Sequence, residues 1–152
     1  MSTSLTRDFA SRTPPADVSI AVPNRILIVE DEAMVALSLA NLVTDAGFLV
    51  LGPVASGSEA AQALDQSRPH AAILDMMLKD GVATRVATEL ARRGIPFIVY
   101  SGLPPGGVSL PELARARWHE KPGSGDELIS SLAELIDEAC LPSSIAFSTS
   151  GA

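Results

Sequence analysis

The sequence predicts an α/β fold in which one parallel β-sheet carries helices on both faces. A short apolar run followed by a helical pattern occurs five times along the chain, which favours parallel strands joined by right-handed crossovers. The first and third strand candidates are almost wholly aliphatic, as expected of strands buried on both faces of a parallel sheet. With 152 residues, the chain has enough material for one such domain.

The first unit is a strand at 25–29 followed by a helix at 32–46. The strand is aliphatic and β-branched. Apolar residues recur on one face of the helix up to Gly47, which stands where a C-cap belongs. The second strand, at 48–54, contains Pro53. Because proline cannot donate a hydrogen bond to a central ladder, we place this strand at an edge of the sheet.

The middle of the chain supplies the second helix and the third unit. A capping-box pattern that begins at Ser56 precedes the second helix at 60–66. The third strand is a short apolar run that ends at Asp75. The segment 79–81 is expected to form a turn, and a third helix follows at 82–93.

The last two units are less regular. The fourth strand, at 95–100, is apolar, but the segment 103–108 holds two prolines and two glycines, so we expect a short or irregular fourth helix. A weak fifth strand at 116–119 precedes a fifth helix. That helix begins with a capping-box pattern at Ser124 and is stopped by Pro142.

These elements define one domain at 24–141. The segments 1–23 and 142–152 are rich in Ser, Thr or Pro without a helical or alternating period, and we expect both to be flexible tails. The single Cys140 cannot form an internal disulfide, and no cysteine or histidine lies near it at metal-ligand spacing.

The composition excludes several classes of partner. The formal net charge is -7, so the chain lacks the broad basic surface that nucleic acid or an anionic membrane requires. No apolar run reaches membrane-spanning length, and the polar start lacks the apolar core of a signal peptide. We therefore expect a soluble cytoplasmic protein that binds neither nucleic acid nor membrane.

Polar residues follow four of the predicted strands: Glu30 and Asp31, Asp75, Ser101, and Lys121. Because parallel strands send their carboxyl ends to one side, these groups can converge. Clustered carboxylates repel one another unless a cation lies between them, and oxygen ligands without His or Cys suit Mg²⁺. We predict a phosphoryl-transfer site in which Asp75 is the nucleophile, Lys121 pairs with the acid and then the phosphoryl group, and Ser101 donates a hydrogen bond.

With these residues, the chain resembles the receiver domains of two-component response regulators. The resemblance covers roughly 25–140. It depends on the Ile-Val-Glu-Asp-Glu strand end, the Ile-Leu-Asp strand, a hydroxyl residue after the fourth strand and Glu-Lys-Pro after the fifth. It implies a flavodoxin-like (βα)₅ doubly wound sheet and phosphoryl transfer to Asp75 from a phosphohistidine of a sensor histidine kinase or a histidine phosphotransfer protein. A stand-alone receiver would signal by docking onto an unknown protein.

The resemblance also implies roles for individual residues. Ser101 would be the switch hydroxyl, Lys121 the phosphate contact and Trp118 the switch aromatic, although fixed packing is an equal alternative for Trp118. Four residues would hold Mg²⁺ through oxygen atoms: Glu30, Asp31, Asp75 and, by its backbone carbonyl, Met77.

The chain departs from many relatives at Met77 and Leu103, which are apolar where those relatives place groups that orient a hydrolytic water. This departure predicts slow self-dephosphorylation, because neither side chain can hydrogen-bond the attacking water. The region before the fifth strand is rich in Pro and Gly. The sequence therefore does not decide whether the usual partner-binding face is kept, or whether a homodimer forms through it.

Three alternatives to a phosphoacceptor receiver stay open. A phosphatase of the haloacid-dehalogenase type also uses a strand-end Asp and Mg²⁺, but it normally needs a second acid two residues on, where this chain has Met77. A receiver-like module could bind partners without phosphorylation. Asp75 could also form a purely structural salt bridge with Lys121.

Overall fold

The computed structural model describes residues 22–104, 110–114 and 116–140. Apart from Val22 and Pro23, the predicted tails lie outside these residues, and so does the side chain of Cys140. In the part of the chain that is described, no helix is both long and apolar enough to cross a membrane.

Within the described ranges, five strands form a single parallel sheet, and a short hairpin and four α-helices accompany it. In chain order the elements are β1 (Arg25–Val29), α1 (Ala33–Asp45), β2 (Leu49–Val54), α2 (Gly57–Gln66), β3 (Ala71–Leu74), β4 (Met77–Leu78), β5 (Gly81–Val82), α3 (Thr84–Arg92), β6 (Phe97–Ser101), a 3₁₀ helix (Pro111–Ala114), β7 (Arg117–Glu120) and α4 (Gly125–Cys140). The sheet order is β2-β1-β3-β6-β7, with all neighbours parallel. The predicted doubly wound fold, with the second strand at an edge, is confirmed.

The buried strands divide the core into two apolar layers, because successive side chains of a strand point to opposite faces. On one face, Leu27 and Val29 of β1 pack with residues of α2 and α3. On the other face, Ile26 and Ile28 pack with residues of α1 and α4. The described helices thus cover the two faces of the sheet.

The edge strand β2 contains an irregularity at Gly52 and Pro53. The pairing with β1 shifts register between Leu27 and Val29, so that the proline falls where the ladder is interrupted. Gly52 has a φ of +91°, and a Cβ added there would lie 2.8 Å from the backbone N of Val54 and 3.1 Å from the carbonyl oxygen of Ile28.

We expect Gly52→Ala to lower the free energy of unfolding by about 3 kcal/mol, because the added methyl meets backbone on two sides in addition to the strain of positive φ. Gly47→Ala is a matched control: its φ is +96°, but nothing lies within 4 Å of the added Cβ, so strain alone should cost about 1 kcal/mol. Urea unfolding of both variants measures the difference, and equal losses would contradict the steric explanation.

The structure differs from the prediction directly after β3. Met77 and Leu78 pair antiparallel with Val82 and Gly81, so the expected turn is part of a hairpin. The third helix was predicted from residue 82, but Val82 belongs to β5 and α3 begins at Thr84. That start was wrong because the backbone at 81–82 pairs back onto the chain that follows Asp75.

The predicted short or irregular fourth helix corresponds to the 3₁₀ helix in the described residues, where Leu113 is buried in the core. The loop at 105–109 lies outside the described residues. The predicted fifth helix is α4, and it buries Leu128, Leu132 and Ile136 at four-residue spacing.

Candidate functional site

The carboxyl ends of four neighbouring strands carry the candidate residues. Glu30 follows β1, Asp75 follows β3, Ser101 ends β6 and Lys121 follows β7. Backbone hydrogen bonds continue the sheet pairing through these positions: Asp75 N donates to Val29 O at 2.9 Å and Lys121 N donates to Ser101 O at 2.9 Å. The strand tips are thereby held side by side at one edge of the sheet.

Three of the candidate residues form an acid cluster, which we define as Glu30, Asp31 and Asp75. One carboxylate oxygen from each lies within 4.8 Å of the others. Glu30 and Asp75 are only 2% and 6% exposed, whereas Asp31 is half-buried. The donor set consists of hard oxygen atoms at close range, and these residues therefore fit a magnesium ion.

Lys121 supplies the positive charge of the site. Its Nζ donates to Asp75 Oδ2 at 3.0 Å and also to Glu30 Oε1. Burial disfavours the charged amine, but its hydrogen bonds to Glu30 and Asp75 outweigh that effect, and the pKa of Lys121 is raised. The amine is therefore charged at neutral pH.

Glu30 has an unusual titration. Desolvation by burial is the main cause, and it raises the pKa of Glu30 from 4.5 to about 7, against the lowering effect of the hydrogen bond from Lys121. The backbone N–H of Glu32 also donates to Glu30 Oε2 at 3.1 Å. Glu30 therefore exchanges a proton near neutral pH in the absence of a bound cation.

Asp75 is held by two donors. Lys121 donates to Oδ2, and the backbone N–H of Met77 donates to Oδ1 at 3.1 Å. The side chain of Met77 is 48% exposed, so it lies at the rim of the acid cluster and leaves the backbone directed toward Asp75.

Ser101 and Trp118 both bind the residue Leu103. Ser101 is fully buried, and its Oγ accepts a hydrogen bond from Leu103 N at 3.3 Å. The indole Nε1 of Trp118 donates to Leu103 O at 2.9 Å, and the ring packs against the core on the side of α2 and α3. The structure thus joins Ser101 and Trp118 through one loop residue, Leu103.

Tyr100 is a residue of the site that the sequence analysis missed. Lys121 Nζ lies 5.7 Å from the centroid of its ring, and its hydroxyl accepts a hydrogen bond from Gly123 N at 3.3 Å. A cation near an aromatic face is attracted by the ring quadrupole. In the sequence, Tyr100 directly precedes Ser101 near the end of the fourth strand, and this position was the signal that it lies close to the site.

Comparison with known proteins points to one family. A family profile described as "Response regulator receiver domain" matches residues 26–104. The transcriptional regulatory protein PdtaR of Mycobacterium tuberculosis is 34% identical over 88 residues. That match covers 57% of this chain and 42% of PdtaR, so the chain spans less than half the length of this curated relative.

Solved structures agree with the fold. A sensor protein from Polaromonas sp. JS666 is 28% identical, with a TM-score of 0.70 over 79% of this chain and all of that chain (100%). The PhyR response regulator REC domain of Erythrobacter litoralis has a TM-score of 0.69 over 79% of this chain and 95% of that one. Its sequence identity to this chain is 21%, so the comparison supports a similar fold and nothing more.

Proposed function

The chain belongs to the response regulator receiver family, and we propose that it accepts a phosphoryl group on Asp75 in a Mg²⁺-dependent reaction and signals through phosphorylation-dependent binding to another protein. The observation that carries this proposal is the contact of Lys121 Nζ with both Asp75 and Glu30, inside a cluster of three carboxylates within 4.8 Å. A structural ion pair alone would not require the further, half-buried carboxylate of Asp31.

In the proposed reaction, a carboxylate oxygen of Asp75 forms a bond to phosphorus while the bond from phosphorus to the donor breaks, and the donor leaves with that electron pair. Lys121 Nζ stays within reach of Asp75 Oδ2 and binds the transferred oxygens. Four groups would hold Mg²⁺, which neutralises phosphoryl charge when bound: the acid cluster and the backbone carbonyl of Met77.

Ser101 and Trp118 would convert the new charge into a change of surface. We assign Ser101 Oγ to the phosphoryl group after transfer, in place of its bond with Leu103 N. That exchange breaks one of the two hydrogen bonds of the Leu103 backbone. The other, from Trp118 Nε1 to Leu103 O, remains. The loop after β6 and the indole of Trp118 would therefore shift together between two arrangements.

The phosphoryl donor in this proposal is a phosphohistidine of a sensor kinase or of a histidine phosphotransfer protein, as expected for the family. The recipient of the signal is a protein, since the net charge of -7 does not suit nucleic acid. We place the reaction in the cytoplasm. The domain would extend over 24–141, and segments 1–23 and 142–152 would be flexible tails.

Intact-mass measurement after incubation with a small acyl phosphate tests the proposal. A single stable phosphoryl adduct is expected in Mg²⁺ and none in EDTA. Rapid release of inorganic phosphate without a persistent adduct would instead indicate a phosphatase of the haloacid-dehalogenase type. A chain that never acquires the adduct would be a module that acts without phosphorylation, and the proposal would be wrong.

We expect the affinity for Mg²⁺ to rise about tenfold between pH 6 and pH 8. Glu30 has a pKa of about 7 without the cation, so binding at pH 6 must displace a proton that is already lost at pH 8, which gives about a factor of ten per pH unit below the pKa. Calorimetric titration at several pH values measures the slope. In Glu30→Gln the slope should be much flatter, and an unchanged slope would contradict the assignment to Glu30.

Self-dephosphorylation should be slow, because Met77 presents a thioether at the rim of the site. We expect Met77→Asn to shorten the half-life of the phosphorylated protein about fivefold, the equivalent of one hydrogen bond of about 1 kcal/mol to the attacking water. Phosphate release in Mg²⁺ measures it, with Met77→Leu as the control. A half-life that is unchanged or longer in Met77→Asn would count against the prediction.

A further inference from the structure

The turn of the β4–β5 hairpin contacts a helix that is distant in sequence. Asp80, at that turn, accepts hydrogen bonds from two backbone amides at the start of α2, with Gly57 N to Oδ1 at 2.9 Å and Ser58 N to Oδ2 at 3.3 Å. These partners are 23 and 22 residues away in the chain. The first amides of an α-helix have no partner within the helix, so an acceptor from elsewhere in the chain completes them.

A residue next to α2 in sequence, Ser56, already caps another backbone amide at the start of this helix. Ser56 Oγ accepts from Glu59 N at 3.2 Å, and Glu59 Oε2 accepts from Ala55 N at 2.7 Å. A local cap therefore fixes the start of α2 without help from the hairpin. The contact with Asp80 adds a connection between the loop that follows β2 and the loop that follows β3.

The hairpin that Asp80 anchors also carries the backbone of Met77. Met76 and Leu78, on either side of Met77, are buried in the core, and Ala83 N donates to Met76 O at 2.8 Å where the hairpin closes. These contacts fix the base of the hairpin. Its tip is held by Asp80 and by a longer hydrogen bond from Lys79 N to Ala55 O at 3.5 Å. Met77, between the two, donates its N–H to Asp75 Oδ1 at 3.1 Å.

We propose that Asp80 is a positioning residue, which holds the β4–β5 hairpin against α2 and so keeps the backbone of Met77 in place for the cation and for Asp75. The inference deepens the proposed function and depends on it, because the Met77 carbonyl is one of the groups assigned to Mg²⁺. Its effect is indirect, through the hairpin backbone, in the way that supporting hydrogen bonds orient metal ligands.

The charge of Asp80 suits this role. The hydrogen bond from Gly57 N is the main cause that lowers the pKa of Asp80 below its usual value, so the carboxylate is ionised at neutral pH. A negative charge at the start of a helix is also favoured by the helix dipole.

The test compares Asp80→Ala with Ser56→Ala in the full chain. Both remove a cap from the same end of α2, but only the first removes a contact with the hairpin. We expect calorimetry with MgCl₂ to show a dissociation constant about tenfold higher in Asp80→Ala and unchanged in Ser56→Ala. Amide hydrogen exchange at Met77 and Ala83, measured without metal, should be faster in Asp80→Ala and unchanged in Ser56→Ala.

The outcomes separate this inference from the proposed function. If the wild-type chain binds Mg²⁺ and Asp80→Ala binds it equally well, the inference is wrong and the proposed function stands. If both variants lose affinity to the same extent, the cause is general weakening of α2, and the positioning role is again wrong. If the wild-type chain does not bind Mg²⁺ at all, the proposed function fails and the inference falls with it.

Discussion

Asp75→Asn is expected to slow the uptake of a phosphoryl group by at least about 1000-fold, to below detection by intact mass. The amide keeps the shape of the side chain but lacks the anionic oxygen that attacks phosphorus. It still offers an acceptor to Lys121, which lies 3.0 Å from Oδ2 in the wild-type chain. Because one of three clustered carboxylates is neutralised, the variant should fold with undiminished thermal stability.

Asp45→Asn is the matched control for this loss. Asp45 is an exposed carboxylate in the last turn of α1, remote from the strand tips, and its replacement should leave uptake unchanged. An adduct of the same mass and stability in Asp75→Asn would show that another residue is the nucleophile. Peptide mapping of the wild-type adduct, after reduction of the acyl phosphate, identifies the residue independently.

Lys121→Met is expected to slow phosphoryl uptake about 100-fold. The methionine keeps the length of the side chain but removes the ammonium that would bind the transferred oxygens, and the loss of one such charged donor typically costs about two orders of magnitude. The rate of adduct formation at saturating acyl phosphate and Mg²⁺ measures it. Lys79, the only other lysine in the chain, is exposed, so Lys79→Met should react at the wild-type rate.

A second measurement separates this catalytic effect from misfolding. Lys121 competes with a cation for Glu30 and Asp75, since it donates to both. Affinity for Mg²⁺ should therefore be at least as high in Lys121→Met as in the wild type. A variant that reacts slowly and also fails to bind Mg²⁺ would indicate a damaged site and would contradict the specific role of the ammonium.

The residues at the strand tips were predictable because they depend on a regular pattern. Apolar runs of the type 26–29 and 71–74 are long enough to identify as strands, and parallel pairing then brings the residues that follow them to one edge. Glu30, Asp75 and Lys121 lie in contact for that reason. The roles of these residues in phosphoryl transfer stay predictions until they are measured.

The β4–β5 hairpin was not predictable from the same kind of pattern. Each of its strands has two residues, which is too short for any periodicity. Its tip is fixed by Asp80 across 23 residues of sequence, and local propensity does not register a contact of that kind. The same reason accounts for the predicted start of the third helix, which was two residues too early, and for the proximity of Tyr100 to Lys121.

Trp118 is the only tryptophan of the chain, and its indole N–H donates a hydrogen bond to the carbonyl oxygen of Leu103. The tryptophan fluorescence of the protein therefore reports on one site, the loop residue Leu103, whose backbone N–H donates to Ser101 Oγ. Because indole emission responds to the polarity around the ring and to its hydrogen-bonding partner, stopped-flow recordings can follow this loop in real time during titration with acyl phosphate, without attaching a dye.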